Sequence, residues 1–174
     1  MAGDTAVALT AGQLRLELSP SVGGAIRALE WTGEGGPASV LRRCNSPLEN
    51  VLDAASFPLV PYVNRIRGGA FRFRGREVRI APNMPGDPSP LHGQGWLRPW
   101  QVQEAGEATA VLSFRHTAGE WPWDYEARQR FALEPAGQRH GIAVRVPCSE
   151  HFFHGAHHDA AIGQLDVLQH DVPS

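Results

Sequence analysis

Three short segments carry side chains whose types and spacing could do chemistry. Residues 57–69, FPLVPYVNRIRGG, set the pair Asn64 and Arg65 between two prolines and a glycine pair. Asn64 offers a donor and an acceptor, and Arg65 offers a planar fork of donors. Such groups suit the vicinal hydroxyls and ring oxygen of a sugar. Residues 90–100, PLHGQGWLRPW, place His92 directly before a glycine, with Trp96 and Trp100 following. A histidine can act as an acid or a hydrogen-bond donor near neutral pH. Glycine lets the backbone come close to a ligand, and tryptophan offers a flat apolar surface that packs against a sugar face. Residues 119–124, GEWPWD, hold Trp121 and Trp123, which read mainly as core or cleft wall. Each feature also has a structural reading: Asn64 capping a turn, Arg65 pairing with a carboxylate, His92 as a packed histidine. Taken singly, those structural readings are the stronger.

A metal centre is not expected. His151, His154, His157 and His158 lie close together, but their spacing matches no zinc pattern and no cysteine pair accompanies them. The chain contains no P-loop, no dinucleotide fingerprint, no G-x-S-x-G elbow and no HExxH.

The elements that must position these residues read as strands. With Gly 19 and Pro 14, the chain is rich in backbone punctuation, which suits short strands and many turns. Residues 13–18, QLRLEL, alternate strictly, with Leu14, Leu16 and Leu18 on one face. Glycine-flanked residues 25–31, AIRALEW, and residues 38–43, ASVLRR, are further expected strands. Residues 70–80, AFRFRGREVRI, predict a hairpin turning at Gly75, with apolar residues on one face and arginines on the other. Residues 82–90, PNMPGDPSP, carry four prolines in nine positions and must form an ordered loop. Strands are expected again at 100–105, 109–114 and 126–133, and residues 142–146 could form another. Near residue 137 the composition changes, and six of the eight histidines fall between His140 and His170.

The chain has 174 residues, enough for one domain with a real core. Its 42% apolar and 20% charged residues are those of a folded globular protein. A net charge of -2 gives no electrostatic case for binding nucleic acid or an anionic membrane. Arginines cluster from Arg65 to Arg79, but Glu77 lies within the cluster and Asp87 beside it. Cys44 and Cys148 are too few for a disulfide framework. The N-terminal residues do not form a secretory signal, no run is apolar enough to span a membrane, and cytoplasmic placement follows as the default.

In their order along the chain, FPLVPYVNRIRGGAFRFRGREVRIAPN, PLHGQGW and GEWPWDYEARQRFAL together resemble the aldose 1-epimerase family. LSPSVGGAIRALEW and the VLRR after it look like that family's opening strands. The resemblance covers about residues 10–136. It implies an all-β fold, the antiparallel β-sandwich of the galactose mutarotase type, of which residues 1–136 would be the N-terminal part. It implies that Asn64 and Arg65 line the sugar site and that His92 binds the sugar near its ring oxygen and assists the chemistry. That chemistry interconverts the α and β anomers of a free aldose by proton transfer alone. The partner is therefore a small-molecule monosaccharide, and no cofactor is implied. The family's second histidine, in a His-Pro-Tyr-Phe-like motif, and its carboxylate base come later along the chain. Neither motif appears here, and residues 137–174 are expected to be a divergent tail, out of frame or disordered. The expected functions are thus an aldose 1-epimerase-type isomerase, a catalytically inactive carbohydrate-binding fragment, or a fragment with no function. An epimerase of hexose 6-phosphates, using Arg67 and Arg98, is a further variant. The preferred sugar and the oligomeric state are not readable from the sequence.

Overall fold

Alternation of apolar and polar side chains lays down the framework, because successive strand residues face opposite sides. A computed structural model describes residues 6–44 and 47–134, and the backbone of 144–145. The first antiparallel sheet runs in chain order through β1 (Val7–Ala11), β2 (Leu14–Ser19), β3 (Ala25–Trp31) and β4 (Ala38–Ser39). A hairpin follows, made of β5 (Ala70–Phe73) and β6 (Arg76–Arg79). The second sheet contains β7 (Gln101–Ala105), β8 (Thr109–His116), β9 (Tyr125–Leu133) and β10 (Val144–Arg145), in the spatial order β10-β9-β8-β7. Among the described residues there is no α-helix, and none is therefore long and apolar enough to cross a membrane.

The two sheets bury their inner faces against one another, which makes the fold an antiparallel β-sandwich. Leu9, Leu14, Leu16 and Leu18 from the first sheet join Leu112, Phe114, Ala127, Phe131 and Leu133 from the second in one core. Burying each large apolar side chain contributes roughly 1.5–3 kcal/mol, so this row is the main source of stability. The inward row of β9 contains one polar residue, Gln129, which is 7% exposed. Its Nε2 donates to the Gly24 carbonyl at 3.0 Å and so ties the second sheet to the turn before β3. The Trp100 amide donates to the Pro20 carbonyl at 2.7 Å, a second tie between the same regions.

The sequence reading is met at β2, β3, β8 and β9 and at the β5–β6 hairpin. The hairpin turns on Arg74 and Gly75, both at positive φ, as a two-residue turn between twisted strands requires. Phe71, Phe73, Val78 and Ile80 share a face, and Phe73 stays 46% exposed, partly covered by the Arg74 guanidinium and the edge of Trp123. Two expectations need correction. Residues 38–43 form a strand only at Ala38–Ser39, because the Val40 and Leu41 amides both turn in to the Leu29 carbonyl. Residues 7–11 form an unanticipated strand, β1, which pairs along the whole of β2. The tail expected at 137–174 lies outside the described residues, apart from the backbone of β10, which pairs with β9.

Candidate active site

The Asn-Arg pair and the His-Gly turn come from segments 28 residues apart, and the fold places them side by side. Arg65 and Leu91 form an antiparallel bridge, and the Ile66 amide donates to the Pro90 carbonyl at 3.1 Å. At the end of this short ladder the His92 amide donates to the Asn64 carbonyl at 3.0 Å. Asn64 and His92 both have left-handed backbones, at φ 69 and φ 57. Such a conformation costs a non-glycine residue of order 1–3 kcal/mol and persists only where the surroundings over-determine it.

The surroundings do so here. Three hydrogen bonds from the Asn83 side chain bracket His92. Its Oδ1 accepts from the Leu91 amide at 2.7 Å, and its Nδ2 donates to the Leu91 and Gly93 carbonyls at 2.7 and 3.0 Å. From below, the Trp96 indole N–H reaches the same two carbonyls, each at 3.1 Å. Trp96 is 1% exposed, stacks on Phe57 and meets the His92 ring edge-on. Gly93, at φ 70, lies against Val60 and Pro61, so that a β-carbon there would overlap Pro61 Cδ and the Val60 carbonyl oxygen. Only glycine fits both the conformation and the space.

This frame decides the state of the imidazole. The Asn64 amide donates to His92 Nδ1 at 2.8 Å. Nδ1 must then be the acceptor, and the ring proton of the neutral form is on Nε2. Partial burial lowers the His92 pKa below its ordinary value, and the nearby Arg65 guanidinium lowers it further. At neutral pH the ring is therefore uncharged, with one N–H to donate. The folded state holds fewer protons than the unfolded state as pH falls below the ordinary histidine value. The stability linked to this group is complete above that value and is lost as pH falls from it through the lowered value of the folded state.

Arg65 is held by a carboxylate that sequence reasoning did not pair with it. Its Nε donates to Asp87 Oδ2 at 2.6 Å, and Asp87 Oδ1 accepts from the Ser89 amide at 2.9 Å. The hydrogen bond from Arg65, followed by that from Ser89, holds the Asp87 carboxyl below the usual carboxylate range. Asn64 Oδ1 meanwhile accepts from the Arg65 amide at 2.9 Å. The structural reading of Arg65 is thus met, while the Asn64 side chain bonds only its neighbour's amide, and both residues stay exposed beside His92. Asn64, Arg65 and His92 come together; Asn83 and Asp87, from the proline-rich loop, bond the segments around them in a way that the sequence did not reveal.

The tryptophans are elsewhere. Trp96 and Trp100 are buried, so neither offers the sugar-packing face that their spacing suggested. Trp100 donates its indole N–H to the Gly95 carbonyl at 2.8 Å. Trp121 is buried and Trp123 half-buried, in an aromatic cluster with Tyr62, Phe71 and Phe73. Beside the His-Gly turn, the Tyr125 hydroxyl donates to Gln94 Oε1 at 3.2 Å, and burial raises the pKa of both Tyr125 and Tyr62. Arg67 and Arg98 are exposed. His151, His154, His157 and His158 lie outside the described residues, and among those described no group of acidic, histidine or cysteine side chains could hold a metal.

A half-exposed imidazole presenting one N–H thus lies next to an amide and a guanidinium on a β-sandwich. The aldose 1-epimerase family model matches residues 6–158, and the chain belongs to that family. It is 34% identical over 129 residues to the uncharacterised protein YphB of Escherichia coli K12, covering 74% of this chain and 42% of that protein. A crystal structure from Escherichia coli K12, of a protein proposed to be an aldose 1-epimerase, matches with a TM-score of 0.65 at 34% identity, over 75% of this chain and 42% of that one. The GalM/aldose epimerase homologue from C. elegans shares the fold, with a TM-score of 0.64 at 19% identity, over 86% and 50% of the two chains. The chain thus spans half or less of the length of each of these relatives.

Proposed function

We propose that this chain carries the hydrogen-bond-donor wall of an aldose 1-epimerase site, acting on the anomers of a free aldose. The observation that supports this reading best is the fixed Nε2–H of His92, set beside Asn64 and Arg65. When the pyranose ring opens, the bond from C1 to the ring oxygen breaks and negative charge gathers on that oxygen. A base removes the proton of the anomeric hydroxyl, and C1 becomes a carbonyl carbon. The Nε2–H, placed at the ring oxygen, stabilises that charge by a hydrogen bond, and the oxygen takes its proton from water, because an uncharged imidazole has no acidic proton to give. Rotation about C1–C2 and the reverse steps close the ring on the opposite face. Nothing is oxidised or reduced. Asn64 and Arg65 hold the ring hydroxyls, and Asp87 keeps Arg65 in place for them. A positioned hydrogen-bond donor of this kind contributes about 10²–10³-fold to the rate.

No described residue is assigned as the base. The other described histidine, His116, bonds the Trp121 carbonyl through Nε2 at 3.0 Å and stacks on Tyr125. This favours, as a second reading, a chain that binds sugar without turning it over. Polarimetry on freshly dissolved α-glucose or α-galactose separates the two. Catalysis predicts mutarotation faster than buffer, with at least a hundredfold of the enhancement lost in His92→Ala. A rate equal to buffer excludes turnover by this chain.

A further inference from the structure

We infer that Asn83 is a positioning residue for His92: it holds the left-handed turn on which the presentation of Nε2–H depends. The inference rests on the proposed sugar site for its functional consequence and on geometry alone for its structural one. Asn83 uses its full side chain on the two neighbours of His92, with the Leu91 amide on Oδ1 and the Leu91 and Gly93 carbonyls on Nδ2. It acts on His92 through the backbone of these neighbours. The Trp96 indole also reaches those carbonyls, but it is one donor shared between two acceptors at 3.1 Å. Asn83 supplies two donors at 2.7 and 3.0 Å, and its Oδ1 satisfies the amide of the buried Leu91.

His92 keeps φ 57 only while its neighbours are fixed. Without Asn83, the turn relaxes toward negative φ. The ring then swings, and the 2.8 Å bond from the Asn64 amide to Nδ1 is lost. That bond selects the tautomer. The consequence is therefore spectroscopic as well as functional: Nδ1 and Nε2 share the proton, and the donor no longer points one way.

The test is long-range ¹H–¹⁵N NMR of the histidine rings in the full chain at neutral pH, with His92 assigned from its absence in His92→Gln. In the unmodified chain we expect a single Nε2–H tautomer. In Asn83→Ala we expect averaged ring-nitrogen shifts, together with about tenfold weaker galactose binding. Asn83→Asp keeps the acceptor for the Leu91 amide and loses both donations, so it should show the same shift change. An unchanged tautomer in a folded variant overturns the inference, and so does a wild-type ring without the Nε2–H preference. Unfolding of both variants also overturns it, since Asn83 would then serve the fold rather than the site. If the tautomer shifts as expected while no variant, nor the unmodified chain, binds galactose, then the positioning role stands and the sugar-site reading fails.

Discussion

Trp96→Ala is expected to lower the unfolding free energy by about 3–5 kcal/mol, the range for removing a large aromatic from a packed core. Trp96 is 1% exposed and anchors the smaller of two core clusters, with Ala25, Leu48, Val51, Ala54 and Leu91 around it. Alanine would leave an indole-sized void. It would also withdraw the N–H shared by the Leu91 and Gly93 carbonyls, and the stacked partner of Phe57. The cost falls directly beneath His92. Denaturant unfolding followed by circular dichroism measures it. A loss below about 1 kcal/mol would show that the cluster closes around the void and that Trp96 is not the anchor described. Trp123→Ala, at a half-buried position, should cost less.

Gly93→Ala is expected to be nearly as damaging, for a different reason. At φ 70 a side chain is strained by about 1–2 kcal/mol before any contact is counted. Its β-carbon would also overlap the Val60 carbonyl oxygen, Pro61 N and Pro61 Cδ, none of which lies at the end of a flexible side chain. Overpacking against such neighbours adds about 1–3 kcal/mol. Together they give roughly 3 kcal/mol, with the His92 turn displaced even in molecules that fold. Gly75→Ala is the matched control. It has φ 78 but nothing within 4 Å of the added carbon, so it reports backbone strain alone. Equal unfolding midpoints for the two variants would contradict the close approach of Gly93 to Val60 and Pro61.

Much of the fold was legible because one period governs it. β2 alternates from Leu14 to Leu18, β9 buries every second residue from Tyr125 to Leu133, and the predicted AIRALEW strand coincides with β3. The hairpin was legible because Gly75 marks the one place where the chain can reverse. β1 was missed because VALTA mixes small and polar residues, and its pairing with β2 is a tertiary fact. ASVLRR was over-read because hydrophobicity cannot show that Val40 and Leu41 both turn in to Leu29.

For the proposed site, Asn64, Arg65 and His92 are singled out because each stands in a segment too unusual to be mere connection, and the fold brings the three together. Their supporting residues are not singled out. Asn83 and Asp87 sit in PNMPGDPSP, where asparagine and aspartate read as ordinary turn formers. Only the folded loop shows that their side chains reach out of it, to Leu91, Gly93 and Arg65. Trp96 and Trp100 illustrate the opposite limit. Their spacing is compatible with a ligand surface or with a core, and sequence alone does not say which way an indole faces.

The central claim is that Asn64, Arg65 and His92 form one sugar-binding wall in this chain. Calorimetric titration with galactose and with glucose tests it most directly, on the unmodified chain and on Arg65→Ala and His92→Ala. Saturable binding of at least one sugar, weakened at least tenfold in each variant while circular dichroism is unchanged, is the predicted result. Binding that survives both substitutions undiminished, or no binding of either sugar by a folded chain, would contradict it.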